Sequence, residues 1–366
     1  MVDYIDAKNL KLSKKDMMTC TMCGFCKSVC PTFEGIGKDT GVARGRMILS
    51  YGLLMKDLPA DGSVIEALYQ CTTCKDCERR CPSKIKVVDV VERARRDLVD
   101  AGHMLPRHRK VVDSVRKYGN PYGEERSVPE ALGEKPRRAR VGYFAGCTSA
   151  YRNPKISQAT LSILKKLGED YTVLNETCCG SVLGRIGLEE DAVKQMQRNI
   201  DAITEQGVEE VVFSCAGCYR MFKEEYPRHV EVPFKVKHIS EYLAEKDLDL
   251  GKLEKKITYH DPCHLGRHSG VYQAPRDVLS KVPGAEFKEM PKTSAEARCC
   301  GGGGGVRSAF PELSEKIAGR RVDQAEFADV LVTCCPFCVT NLRSGGEKTG
   351  SKVEICDLVE LVEPLL

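Results

Sequence analysis

The sequence predicts an α+β multidomain chain, with a mainly helical domain first and then two repeated α/β units, each built of βαβ steps around a parallel sheet. Three observations carry this expectation. Eight of the 20 cysteines fall into two matching runs near the start. The rest of the chain repeats one order of strands, helices and cysteines twice. Between these parts lies a connector rich in Pro, Gly and charge, from Gly119 to Arg140. The expected divisions are residues 1–118, a linker at 119–140, and units at 141–250 and 251–366.

Composition bounds the chemistry. At 366 residues the chain has two to three domains' worth of length. Hydrophobic residues make up 42%, charged residues 30%, and the formal net charge is only +4, which excludes a disordered chain. So balanced a charge gives no reason to expect nucleic acid as a partner. No apolar run approaches the roughly 18 residues that span a bilayer. The opening MVDYIDAKNLKLSKK is too polar for an export signal, so a cytoplasmic location is expected. In a reducing compartment, thiols in this number read as metal ligands rather than disulfides. Soft sulfur narrows the metal to iron–sulfur clusters or zinc.

Spacing separates the two. The first run is Cys20-x2-Cys23-x2-Cys26-x3-Cys30-Pro31, and the second is Cys71-x2-Cys74-x2-Cys77-x3-Cys81-Pro82. Each is the two-cluster ferredoxin signature, in which three close cysteines hold one cubane and the fourth crosses to the other. Two-residue gaps let thiolates curl around one cube face, and the offset fourth, stiffened by proline, points away. The expected ligand sets are Cys20, Cys23, Cys26 and Cys81 for one [4Fe–4S] cubane, and Cys71, Cys74, Cys77 and Cys30 for the other. A zinc site takes four thiolates and has no use for such triples. The segments GRMILSYGLLMK (Gly45 to Lys56) and VVDVVERARRDLVD (Val87 to Asp100) have helical apolar spacing, so this ferredoxin-like domain is expected to be mainly helical. The basic run from Arg93 to Lys110 reads as a solvated helix face, with docking of an acidic partner as the alternative.

The first repeat starts with a strand-like run, Arg140 to Cys147. It continues through a helix (Ile156 to Leu167), a short strand (Tyr171 to Leu174), Cys178-Cys179-Gly180, a helix (Glu189 to Gln206) and a strand (Glu209 to Ser214) entering Cys215-x2-Cys218. It closes on the strand–helix phrase VKHISEYL. The second repeat has the same order: a strand (Lys256 to His260) leading to Cys263, a helix (Tyr272 to Lys281), Cys299-Cys300-Gly301, a helix (Pro311 to Phe327), a strand (Asp329 to Thr333) entering Cys334-Cys335-x2-Cys338, and VEICDLVEL. Strands alternating with helices imply parallel βαβ units. In such sheets the ligand site lies off the carboxyl ends of the strands, where every cysteine group falls. Topology thus gathers five thiolates per repeat on one edge, one more than a cubane or tetrahedral zinc takes.

Taken together, the spacing Cys147-x30-Cys178-Cys179-Gly180-x34-Cys215-x2-Cys218 and its second copy resemble the cysteine-rich "CCG" domain. That domain occurs in pairs in the B- and D-type subunits of heterodisulfide reductase, and in iron–sulfur subunits of glycolate, lactate and glycerol-3-phosphate dehydrogenases. With a ferredoxin-like region fused ahead, the chain is similar to the D-type family of heterodisulfide reductase subunits from about Cys20 to Leu361. The resemblance implies one noncubane [4Fe–4S] cluster per repeat. The first would be held by Cys147, Cys178, Cys179, Cys215 and Cys218, the second by Cys263, Cys299, Cys300, Cys335 and Cys338. It also implies that a disulfide is cleaved between the two clusters, each sulfur leaving on one iron. Both five-cysteine sets are complete, which favours disulfide chemistry over electron relay.

The cubane and CCG sets leave two cysteines. Cys334 abuts a ligand position and could replace Cys335, and Cys356 reads as a small buried hydrophobe. His264, next to Cys263, is placed to deliver a proton to a departing thiolate. The bland alternative is a histidine satisfying a backbone carbonyl. His260, Asp261 and His268 could complete a relay. In the run Gly301 to Gly305, the first three, Gly301, Gly302 and Gly303, are expected at the cofactor, where absent side chains let backbone N–H groups approach cluster sulfur and leave room for substrate. No dinucleotide fingerprint is present. Electrons must therefore arrive from, or leave for, a partner such as a flavoprotein or b-type cytochrome, and any membrane association would run through that partner. The two function classes are a disulfide-reducing enzyme acting on a small molecule such as CoM-S-S-CoB, and an electron-transfer subunit of a flavin-dependent 2-hydroxy-acid dehydrogenase.

Overall fold

A computed structural model describes residues 3–366. Residues 3–118 are mainly helical. Val87–Asp100 follows its apolar spacing, burying Val87, Val90, Val91, Ala94 and Leu98 on one stripe. Ala43–Met55 packs across it and ends at Lys56 in a left-handed conformation. Gly62–Tyr69 starts where the Asp61 carboxylate accepts from the Ser63 and Val64 amides. Asp97 accepts from the Leu10 amide at 2.9 Å, pinning the N-terminal segment to the long helix.

The basic run from Arg93 to Lys110 is not one solvated face. It is divided between Val87–Asp100 and Pro106–Tyr118, and Arg95 and His108 are fully buried. Charge counting missed this because a single helix turn carries both outward and inward positions. The connector contains a short helix, Val128–Leu132, opened by a Ser127/Glu130 capping box and closed by left-handed Gly133.

Each repeat forms a four-stranded, all-parallel sheet. In the first, β1 (Val141–Phe144) lies between β2 (Tyr171–Val173) and β3 (Glu210–Phe213), and β4 (Lys235–His238) flanks β3. In the second, β5 (Lys256–His260) lies between β6 (Glu286–Phe287) and β7 (Val330–Thr333), with β8 (Glu354–Asp357) outside. The two-residue β6 had no signal of its own in the sequence. The central strands β1, β3 and β7 are buried at every residue, as parallel strands covered on both faces must be. Phe144 pairs with Phe213, and both pack on Phe222, which stacks on Tyr226 at 3.9 Å. Truncating Phe213 to Ala would cost about 3–5 kcal/mol. Register makes the repeats comparable residue by residue. Phe144 and His260 both end the first strand of their unit, opposite Phe213 and Thr333.

Candidate metal centres

The two ferredoxin-like runs share a local backbone. Met22 and Gly24 in the first, and Thr73 and Lys75 in the second, are left-handed at matching positions around the middle cysteine. Four of the six described non-glycine residues with positive φ lie in or just after these runs: Met22, Thr73, Lys75 and Lys84. Such alternation turns successive N–H groups inward into an anion-binding nest, which suits an anionic iron–sulfur cluster. One small cavity is walled by Cys20, Cys23, Cys26 and Cys81, with Cys77 alongside. A second is walled by Cys71, Cys74, Cys77 and Cys30.

In the repeats Cys147, Cys215, Cys263 and Cys335 follow the carboxyl ends of β1, β3, β5 and β7, the doublets Cys178-Cys179 and Cys299-Cys300 follow β2 and, after a longer loop, β6, and the two strand edges face one cavity of about 230 Å³. Its wall includes all five cysteines of the first repeat and Cys263, Cys300, Cys335 and Cys338 of the second. Cys299 sits behind the wall, where its thiol meets Cys74 of the helical domain and its sulfur accepts from the Gly301 amide at 3.3 Å. Cys338 and Cys300 are 3.3 Å apart, sulfur to sulfur. Glycine permits this crowding: at Gly146 (φ +79°) a Cβ would stand 3.0 Å from Cys218 Sγ. Contact with neighbouring thiols and burial push Cys147, Cys218 and Cys338 well above the ordinary thiol range. Holding such a set as thiolates needs a cationic centre among them, so the donors fit a metal cluster.

The glycine run does more than line the cavity. Gly302 to Gly305 form part of its wall, but at Gly303 a Cβ would stand 2.7 Å from the Thr72 carbonyl oxygen, and at Gly304 closer still to that of Cys71. These glycines let the second repeat lie directly on the loop carrying the second ferredoxin-like run. Arg267 reinforces the contact by donating to the Cys74 carbonyl at 2.7 Å.

His264 lines the cavity, half-buried, with Nε2 lacking a partner. Burial and the Arg185 and Arg220 guanidinium groups hold its imidazole well below the usual histidine range. Its counterpart Thr148 hydrogen-bonds the Tyr122 hydroxyl at 2.8 Å. The relay through Asp261 and His268 is not there. Asp261 is a bidentate partner of Arg276, at 2.8 and 3.0 Å. His268 accepts from Arg220 at Nδ1 (2.8 Å) and donates from Nε2 to the Thr73 carbonyl (2.9 Å), so neither nitrogen is free. Cys334 is fully buried, absent from the cavity wall, and placed against Tyr259. Cys356 lies buried in β8.

Sequence reasoning missed Arg185, which follows the first cysteine pair, lines the cavity and pairs with Glu92. Its only signal was a cation in an otherwise apolar helix.

Comparison with known proteins agrees with this layout. Residues 16–85 match the 4Fe-4S dicluster domain, and residues 141–223 and 257–343 match the cysteine-rich CCG domain. The chain is 37% identical to the D-type subunit of a dihydromethanophenazine:CoB–CoM heterodisulfide reductase from Methanosarcina mazei, over 99% of this chain and 97% of that one. It is 33% identical to the B-type subunit of a fumarate reductase (CoM/CoB) from Methanothermobacter marburgensis, over 99% of this chain and 73% of that one. A hypothetical protein from Helicobacter pylori shares the fold, with a TM-score of 0.52 at 10% identity, over 87% of this chain and 66% of that one. A dicluster domain fused to paired CCG domains defines an iron–sulfur oxidoreductase. The chain belongs to the D-type family of heterodisulfide reductase subunits.

Proposed function

We propose that the protein is a thiol–disulfide oxidoreductase that reductively cleaves a small-molecule disulfide, such as CoM-S-S-CoB, in the cavity between the two repeats. The observation that carries this is the single cavity walled by thiols of both CCG sets. Cys20, Cys23, Cys26 and Cys81 hold one cubane, and Cys71, Cys74, Cys77 and Cys30 the other, in keeping with the cysteines that wall each small cavity. The sets of Cys147 and Cys263 hold noncubane clusters. When bound, these two clusters supply one electron each and an iron site for each sulfur, so that no free thiyl radical forms. The chain's own residues do the rest. The apolar wall excludes water, Gly302 and Gly303 leave room beside the thiols, and His264, drawn up from its low value by the negative charge of the loaded thiolate sets, holds a proton for a departing thiolate.

Electrons come from a separate partner protein, either a flavoprotein or a b-type cytochrome, at the exposed rim of the first run. Cys23 is exposed there, and Met18, Met22 and Phe25 are 65%, 39% and 53% exposed around it. Every large hydrophobic side chain described as exposed lies within the first 55 residues, which favours that end as the docking face. Among the described residues no helix is long and apolar enough to cross a membrane.

The test is replacement of Cys179 or Cys300 by Ala in the loaded protein. Disulfide reduction is expected to vanish while the paramagnetic signals of the N-terminal cubanes persist. His264→Ala is expected to slow turnover by roughly 10²-fold, the usual size for a lost general acid. Unimpaired reduction by both cysteine variants contradicts the assignment, and electron relay to an external acceptor then becomes the better account.

A further inference from the structure

The repeats are alike in topology and in thiols, but the residue ending the first strand differs. In the first repeat it is Phe144, packed against the rings of Phe213 and Phe222 at 5.3 and 5.1 Å. In the second it is His260, fully buried, with its ring among Cys300 and Cys338; the ligating atoms of the three residues lie within 4.8 Å of one another. His260 therefore stands where the first repeat has only hydrocarbon.

Its tautomer is fixed by geometry. The Arg321 Nε–H donates to His260 Nδ1 at 3.1 Å, from a side chain that is itself 1% exposed. A nitrogen that accepts carries no proton, so the ring proton is on Nε2. Nε2 is buried and makes no hydrogen bond within the protein. What faces it is the Cys300 thiol. A buried N–H left without a partner is destabilising, and a thiolate is the acceptor within reach.

We propose that His260 is a positioning residue that donates an Nε2–H···S hydrogen bond to the Cys300 thiolate, and so sets the reduction potential of the second repeat's cluster above that of the first. An N–H dipole aimed at ligand sulfur stabilises the extra negative charge of the reduced state, and hydrogen bonds to sulfur are a main control on cluster potential. Phe144 offers no such donor, so the two clusters are unequal by construction. The higher potential falls on the repeat whose Cys299 touches Cys74 of the helical domain. His260 is thereby removed from any proton relay, because its one proton is committed to sulfur. The inference rests on the assignment of Cys300 as a cluster ligand.

The experiment is an anaerobic redox titration of the full, cluster-loaded chain, followed by electron paramagnetic resonance, for the wild type, His260→Leu and His260→Gln. His260→Leu is expected to lower the midpoint of the second repeat's signal, so that its reduced-to-oxidised ratio at the wild-type midpoint falls about tenfold, a shift of about 59 mV for one electron. His260→Gln, which keeps an N–H donor, is expected to recover most of that shift, and the first repeat's midpoint is expected to stay in place. An unchanged midpoint in His260→Leu overturns the inference and leaves the ligand assignment standing. Absence of any second-repeat signal in the wild type overturns both. Should His260→Leu fail to fold, ¹⁵N-histidine labelling of the wild type decides. A weak nitrogen coupling that His260→Gln abolishes supports the hydrogen bond, whereas no such coupling, or one of the size of direct iron–nitrogen ligation, overturns it.

Discussion

The Arg95 guanidinium donates to the carbonyl oxygen of Gly304 at 2.9 Å, joining residues 209 positions apart. The same buried group donates to the carbonyls of Leu68, Tyr69, Cys71 and Arg185, so one side chain ties the ferredoxin-like loop to both repeats. Arg95→Met strands these carbonyls in the interior. Since each buried acceptor left unpaired costs about 1–3 kcal/mol, the loss should exceed about 3 kcal/mol. Thermal unfolding of the variant is expected several degrees below the wild type. An unchanged midpoint would show that the clasp contributes nothing.

His108 makes the neighbouring contact, donating from Nε2 to the Gly305 carbonyl at 2.9 Å, while its buried Nδ1 has no partner. Burial and, to a lesser degree, Arg95 hold it down at about 4, below the ordinary histidine value near 6.5. Between those values the unfolded chain binds the proton and the native chain does not. Stability therefore rises with pH across that window, and its loss on acidification reaches about 3 kcal/mol near pH 4. Denaturant unfolding at pH 7.5, 6.5 and 5.5 is expected to show a shallower fall for His108→Gln than for the wild type. Equal slopes would contradict the assignment.

If the two four-cysteine sets and the two five-cysteine sets each hold one four-iron cluster, the chain carries about 16 iron atoms. Anaerobic iron and sulfide analysis is expected to return that figure. A value near 8, or zinc in the repeats, would remove the noncubane clusters from the account.

If electrons come in past Met22 and Phe25, then Phe25→Glu, which puts a charge on that apolar rim, is expected to slow delivery from the native partner by tenfold or more. A small artificial donor should reduce the variant as fast as the wild type. Equal rates with the native partner would place docking elsewhere.

Much of this molecule is legible in its sequence, for identifiable reasons. Strands β1 and β7, which run straight towards cysteines, announce themselves because parallel strands are short apolar runs, and Val87–Asp100 because its valines recur at helical spacing. The cysteine groups could be placed on one edge because βαβ topology puts them there. What could not be read is anything set by packing between distant segments. Arg95 and His108 look like members of a basic run until the fold turns them inward. Gly303 and Gly304 look like slack until the Cys71–Thr72 backbone is seen against them. His268 and Asp261 look like relay candidates until Arg220 and Arg276 are found holding them.

The measurement that tests the central claim most directly is thiol release under anaerobic conditions. The chain, carrying all its clusters and supplied with a reduced viologen, is mixed with the heterodisulfide of coenzymes M and B, and free thiols are counted against electrons consumed. Cleavage in the cavity between the repeats predicts one thiol of each coenzyme for every pair of electrons, and none from the Cys300→Ala variant. A fully loaded wild-type chain that oxidises the viologen only when an electron acceptor protein is present, and releases no thiol, would contradict it.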